Sequence, residues 1–148
     1  MHHILTTNRS VSKYNKEQSH LCQFCSAHSE TIHHLFWKCD EVRTFWNQLE
    51  HRLNSRCNEA YTFKIAENVI IFGAIEDLRD DQSIMFQFII LLAKYYIYRC
   101  KVQGLKLSCR IFVNELYNRY RIEKHIQEDS TDFDKTWMPY LNIFMGLV

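Results

Sequence analysis

The sequence predicts a small, mainly helical domain, on the evidence of its composition and its periodicity. It has 148 residues, of which 47% are hydrophobic and 14% aromatic, and a chain of this kind can bury a sizeable core. It contains three glycines and one proline, whereas a multi-stranded sheet needs frequent turn residues. Apolar residues recur at helical spacing along much of the chain. We expect a partly ordered lead-in over residues 1–20 and a single domain over residues 21–148.

Four residues near the N-terminus have the spacing Cys-x2-Cys-x8-His-x4-Cys: Cys22, Cys25, His34 and Cys39. Thiolate sulfur and imidazole nitrogen are the ligands of tetrahedral zinc sites, and two residues between the first cysteines let one turn aim both sulfurs at one point. A catalytic zinc keeps one position open, whereas this set fills all four. The pattern therefore predicts an N-terminal Cys3His knuckle that binds structural Zn²⁺. His33 is the main rival to His34, and His28 or His20 would fit a looser site.

The second ligand pair requires a break in the helix that carries it. Ser29 is a candidate N-cap for a short helix in this region. On a continuous α-helix, residues five apart point roughly 140° apart, so His34 and Cys39 would not face one ion. We therefore expect the helix to end near Lys38 and Asp40 to cap the next one.

An apolar stripe predicts that this next helix ends near Arg56; it consists of Val42, Phe45, Trp46, Leu49 and Leu53. Beyond it, Tyr61, Phe63 and Ile65 alternate with polar residues, and a short apolar run covers residues 69–72. This pattern leaves room for one short β hairpin.

The longest apolar segment, residues 84–98, predicts a central core helix that begins at Asp80 or Asp81 and stops at Gly104. It is too short to span a membrane and contains Gln87 and Lys94. We therefore expect no membrane association.

Ser108 is predicted to cap a further helix, with one buried face made of Cys109, Phe112, Val113, Leu116 and Tyr120. A last helical stretch is predicted around Pro139. The N-terminus lacks the pattern of a signal peptide, so we expect an intracellular location.

The run CQFCSAHSETIHHLFWKC, followed by FWNQLEHRL, resembles the zinc-binding region that lies C-terminal to the reverse transcriptase of LINE-type (non-LTR) retrotransposons. That family has a CxxC pair, a Glu-Thr segment, a His-Leu-Phe-like segment, a final Cys and a Trp-bearing helix. The resemblance places its metal ligands at Cys22, Cys25, His34 and Cys39. It is specific over residues 22 to about 50 and looser beyond. Ser26 stands where the family often has Gly, and Asp40 where Pro is common.

The resemblance implies an accessory domain that binds RNA or another single-stranded nucleic acid beside the reverse transcriptase domain of a parent element. The net charge of +1 argues against a dedicated polyanion binder, but residues 94–124 carry eight Lys or Arg against two acids. The candidate contacts to nucleic acid are Lys38, Arg43, Arg110, Tyr117, Arg121 and Lys124.

We expect no enzymatic activity from this chain. Polymerase motifs are absent, and Asp80-Asp81 lies where a helix start explains it. The alternative function is a structural zinc module or a protein-interaction module, including a truncated, transposon-derived open reading frame without activity of its own.

Overall fold

The structure is a computed structural model that describes residues 5–55, 62–73 and 80–127, and, near the C-terminus, 133, 135 and 137–144. These residues form α1 (Asn8–Ser12), α2 (Asp40–Asn54), α3 (Glu67–Phe72), α4 (Asp80–Gln103) and α5 (Cys109–Ile126). A π turn, His34–Lys38, precedes α2, and a 3-10 helix, Met138–Phe144, lies near the end. The described part contains no strand, only one antiparallel bridge between Leu21 and Ser29. The mainly helical class with an N-terminal Cys3His cluster is confirmed.

Aromatic side chains from three helices meet at the centre of the core. The ring of Phe45 in α2 lies 5.7 Å from that of Tyr96 in α4 and 5.6 Å from that of Phe112 in α5, measured between centroids. All five residues of the predicted stripe on α2 are buried, as are all five of the predicted inner face of α5. The Ser108 hydroxyl accepts a hydrogen bond from the N–H of Ile111 and caps α5, as predicted.

A second aromatic group closes the far end of α5. Tyr120 packs against Phe133, Trp137 and Phe144, with ring centroids 5.2 to 5.7 Å from its own. The predicted C-terminal helical stretch is present as the 3-10 helix, which packs against α2 and α5.

The predicted β hairpin is wrong, because residues 69–72 belong to α3. Glu67 lies in the first turn of this helix, and Gly73 ends it in the left-handed conformation with φ 69°. A four-residue apolar run cannot by its periodicity distinguish a buried strand from a helix. The extended segment before α3 pairs instead with a side chain of α2: Asn54 accepts from the N–H of Phe63 at 2.8 Å and donates to its carbonyl at 2.7 Å. Tyr61, predicted in the first strand, lies outside the described residues.

Helix α4 is buried on one side only, so its predicted placement as a central core helix needs correction. Met85, Phe86, Ile89, Ile90, Ala93, Tyr96, Ile97 and Cys100 form the buried side. The opposite side exposes Ile84, Leu91, Tyr95 and Val102, each by more than 60%. The sequence is apolar on both sides, and only the position of the other helices decides which side is covered. None of the described helices is long and apolar enough to cross a membrane.

Candidate metal centre

The four predicted ligands converge on one point. One Sγ from each cysteine and a ring nitrogen of His34 all lie within 4.8 Å of one another. The sulfurs of Cys22 and Cys39 are 3.9 Å apart, and Sγ of Cys25 lies 3.4 Å from Nε2 of His34. With metal–sulfur bonds of about 2.3 Å and metal–nitrogen bonds of about 2.0–2.1 Å, a regular tetrahedron separates two sulfurs by roughly 3.8 Å and a sulfur from a nitrogen by roughly 3.5 Å. The cluster therefore has the dimensions of a tetrahedral metal site.

A tight turn presents the first cysteine pair. The N–H of Ser26 donates to the carbonyl of Cys22 at 2.9 Å, and the N–H of Cys22 donates to the carbonyl of His28 at 2.8 Å. Ser26 has φ 53° and is the one non-glycine residue with positive φ in the described part of the chain. This is the position where the resembling family often has Gly, which adopts such a φ without steric cost.

The π turn supplies the break that the second pair requires. The N–H of Cys39 donates to the carbonyl of His34 at 2.9 Å, a bond that spans five residues rather than four. Because a π turn is wider than an α turn, residues five apart return to nearly the same side. Cys39 follows in an extended conformation with ψ 129°. The two ligands thus face one point although the helical segment runs almost up to Cys39.

Two predicted caps are displaced by one or two residues. Cys39, not Asp40, is the N-cap residue of α2, and Asp40 is its first helical residue. Thr31, rather than Ser29, caps the preceding turn, since its hydroxyl accepts from the N–H of His34 at 3.0 Å. The indole of Trp46 in α2 donates to the carbonyl of Phe36 at 2.8 Å and fastens the turn to the core.

The two buried sulfurs differ in their affinity for a proton. The hydrogen bond shared with Cys39, together with the backbone N–H groups of Cys25 and Phe24, lowers the pKa of Cys22 to about 5, although burial acts in the opposite direction. The same shared bond, followed by burial, raises the pKa of Cys39. One thiolate is therefore formed readily, and a bound cation would take the place of the proton on the other.

The structure brings His34, rather than its rivals, to the cysteines. His34 is 8% exposed and lies within the cluster. The ring of His33 points to α3, where Nε2 contacts the carboxylate of Glu67. His28 is exposed and packs against the ring of His34 with centroids 5.5 Å apart. His20 contributes its carbonyl, which accepts from the N–H of Glu30 at 2.9 Å.

Sequence reasoning missed the role of Glu30, whose side chain is completely buried. It accepts hydrogen bonds from the N–H groups of Asn8 and Gln23 at 2.8 and 2.9 Å, and its Oε1 lies 3.2 Å from Nζ of Lys101. It thus joins α1, the cysteine turn and the end of α4. Glu30 directly follows Ser29, the predicted N-cap, and at the start of a helix an acid is ordinarily exposed; no local pattern predicts its burial.

The predicted contacts to nucleic acid are distributed over the π turn, α2 and α5. The five basic residues among them are all exposed. Arg110 and Arg121 lie on the same face of α5 but are eleven residues, or about 16 Å, apart. Tyr117 is half-buried, with its ring 5.2 Å from that of Phe144 and 5.9 Å from the guanidinium of Arg121. Its ring is therefore less accessible for base stacking than the sequence suggested.

A groove of about 500 Å³ between α2 and the start of α5 is lined by Arg110 and by two residues that the sequence did not associate with it, His51 and Arg52. His51 and Arg52 face Arg110 across it, and none of the lining residues is acidic: Thr44, Asn47, Gln48, His51, Arg52, Ser108, Cys109 and Arg110. Burial raises the pKa of Cys109 to about 11, and Arg52 acts against this shift. The last turn of α2 gave no signal, because its polar residues resemble an ordinary solvated face. We call this feature the α2–α5 groove.

Comparison with known proteins gave no match to the chain, whether among protein families, curated proteins or solved structures.

Proposed function

We propose that the chain is a zinc-stabilised, non-catalytic domain that binds single-stranded nucleic acid, of the kind found C-terminal to the reverse transcriptase of LINE-type retrotransposons. The proposal rests on one observation: the four side chains of the Cys3His cluster lie close together, and they are the same residues that the resemblance identifies as metal ligands. The reverse transcriptase domain of a parent element is the proposed neighbour, and polymerase motifs in the reading frame upstream would support it.

The donor set supports zinc as the metal. Three thiolates and one imidazole form a soft, tetrahedral set that favours Zn²⁺ over the hard cations Mg²⁺ and Ca²⁺. All four positions are filled by protein, so no position is left for a substrate or an activated water. The metal would hold the cysteine turn, the π turn and the start of α2 together, which is a structural role.

The α2–α5 groove supports a nucleic acid as the ligand. Arg52 and Arg110 approach it from two helices, and a guanidinium binds phosphate oxygens through two parallel hydrogen bonds. Asn47 and Gln48 add neutral donors of the type that contact phosphate and sugar. Arg43 lies one turn before Asn47 on α2 and extends the basic surface beyond the groove.

Binding is tested by fluorescence anisotropy with a labelled single-stranded RNA at several salt concentrations. We expect binding at low salt and a linear fall of log K with log salt, because binding releases cations condensed on the phosphates and this release becomes less favourable as the salt concentration rises. Replacing Arg52 and Arg110 with Ala should weaken binding and reduce the slope by about 1.4, since each phosphate contact to a single strand contributes about 0.7. The matched control replaces Lys13 and Lys16, two exposed lysines outside the groove, and should leave the slope unchanged. Absence of affinity at low salt would contradict the proposal.

The second candidate is a structural or protein-interaction module, and the exposed apolar side of α4 favours it. In that case the zinc only holds the fold together. Loss of circular dichroism on chelation, in a protein that has no affinity for RNA, would support this candidate over the first.

A further inference from the structure

The exposed side of α4 carries a continuous apolar seam, which we call the α4 seam. Its residues alternate at spacings of four and three: Ile84, Phe88, Leu91, Tyr95, Tyr98 and Val102. This is the heptad spacing of a helix that packs lengthwise against another helix. On the α-helix all six lie within about 40° of one direction, since each residue advances by roughly 100°.

The seam is exposed in the single chain. Ile84, Leu91, Tyr95 and Val102 expose 62 to 70% of their surface. Phe88 and Tyr98 are half-buried, with the guanidinium of Arg119 at 4.9 Å from the ring of Phe88. Single exposed apolar residues are normal, but a row of them along one helix is typical of a contact surface.

We propose that the α4 seam pairs two copies of this chain. Two copies of this surface are complementary in shape, because the α4 seam forms a ridge and an apolar groove lies on each side of it. Leu92, Tyr95 and Ile122 line one of about 560 Å³ between α4 and α5, and Ile70 and Leu91 line one of about 220 Å³ between α3 and α4. The ridge of each copy then packs into a groove of the other copy, as in a twofold symmetric contact.

The charges beside the seam do not oppose pairing of identical copies. Arg99 is paired with Glu115 at 2.6 Å, and Arg119 with Glu123 at 3.0 Å. The ammonium of Lys94 donates to the carbonyl of Ile70 at 2.9 Å, and burial lowers its pKa. Because each guanidinium is balanced within its own copy, repulsion between like charges across the contact is small.

The size of the seam predicts a reversible dimer. It runs from Ile84 to Val102, or about 27 Å of helix. Two such strips with their flanking grooves bury on the order of 1,000 Å², the lower limit for a specific contact. We therefore expect a dissociation constant in the micromolar range.

The test is sedimentation velocity of the full chain over a protein concentration series from about 5 to about 300 µM, which spans the expected range. The expected result is a shift from the 17.9 kDa species to one of twice that mass. Leu91→Glu and Tyr95→Glu should each remove the dimer, since each buries a charge at the contact, and both positions are exposed enough for the monomer to fold. Circular dichroism of each variant checks the fold.

Met138→Glu is the matched control. Met138 is 63% exposed, and its 3-10 helix faces the buried side of α4, where Phe63 links Tyr140 to Phe86 with ring centroids 5.1 and 5.4 Å away. This variant should dimerise like the wild type. A wild-type chain that stays monomeric over the whole series, or a dimer that persists in both seam variants, would overturn the proposal.

Discussion

In the knuckle, residues 22–39, all four ligand atoms come from one short stretch and lie within 4.8 Å of one another. Backbone hydrogen bonds between near neighbours fix their directions. Helix α4 is the opposite case: its residues are apolar on both sides, and contacts with α2, α3 and α5 decide which side is buried. Comparison of the two regions shows that a ligand cluster specified by local spacing can be predicted from the sequence, whereas the buried side of a helix depends on residues far away along the chain.

Glu30 is the point where the two regions meet. Its carboxylate binds the cysteine turn through the N–H of Gln23 and the end of α4 through Lys101, whose side chain is 8% exposed. The knuckle is therefore locally built but anchored by a long-range ion pair.

Removal of the metal should have the largest effect and should separate the two regions. Binding of a structural zinc ion contributes about 10–16 kcal/mol in zinc-finger peptides, so chelation should unfold residues 22–39. Hydrogen exchange followed by mass spectrometry should show fast exchange there, while the buried amides of α4 and α5 stay protected. Uniform loss of protection in all helices would show that the core also depends on the metal.

Single substitutions test which of two neighbouring histidines binds the metal. Native mass spectrometry should detect one zinc ion in the wild type and in His33→Ala, and none in His34→Ala. The two histidines are neighbours in sequence, but only His34 lies in the cluster. Zinc retained in His34→Ala and lost in His33→Ala would overturn the assignment.

The next effect concerns Trp46, which belongs to the core but holds the π turn. Trp46→Ala should lower the free energy of unfolding by about 3–5 kcal/mol, because the side chain is 1% exposed. Trp46→Phe should cost less, about 1–3 kcal/mol, since it mainly leaves the carbonyl of Phe36 without its donor. Urea denaturation measures both. If Trp46→Phe is as stable as the wild type, packing alone, and not the hydrogen bond to the turn, accounts for the loss in Trp46→Ala.

Glu30→Gln should have the third-largest effect and lower the free energy of unfolding by about 3 kcal/mol. The substitution leaves the ammonium of Lys101 buried without a counter-charge. Glu67→Gln is the control, since Glu67 is half-exposed where it meets His33 and such pairs contribute at most about 1 kcal/mol. Thermal denaturation compares the two variants. A loss no larger than that of the control would show that the buried pair does not anchor the knuckle.

Ser26→Gly should have the smallest effect and the opposite sign. The left-handed conformation costs a non-glycine residue about 1–2 kcal/mol, so glycine at φ 53° should stabilise the protein by up to that amount. Ala27→Gly, one residue on and not at positive φ, should destabilise slightly, because glycine gains freedom in the unfolded chain. A lower melting temperature for Ser26→Gly than for the wild type would contradict the strain at this turn.

Much of the fold could be predicted because helical periodicity is a local signal. The stripes of α2 and α5, the cap at Ser108 and the stop at Gly104 are all in place. The need for a break between His34 and Cys39 was also predictable, since it follows from the angle between residues on a helix. Its form as a π turn was not, because the hydrogen bond from Trp46 to Phe36 that supports it joins two elements.

By itself, the sequence determined that three cysteines and one histidine within residues 22–39 can bind one metal ion, because their spacing is that of a tetrahedral site, and the structure then selected His34 over His33. Only the tertiary structure decided that Glu30 is buried against Lys101, that residues 69–72 are helical, and that one side of α4 is exposed. Each of these depends on which groups lie nearby in space. When a helix is apolar on both sides, its own sequence does not indicate which side the neighbouring elements will cover.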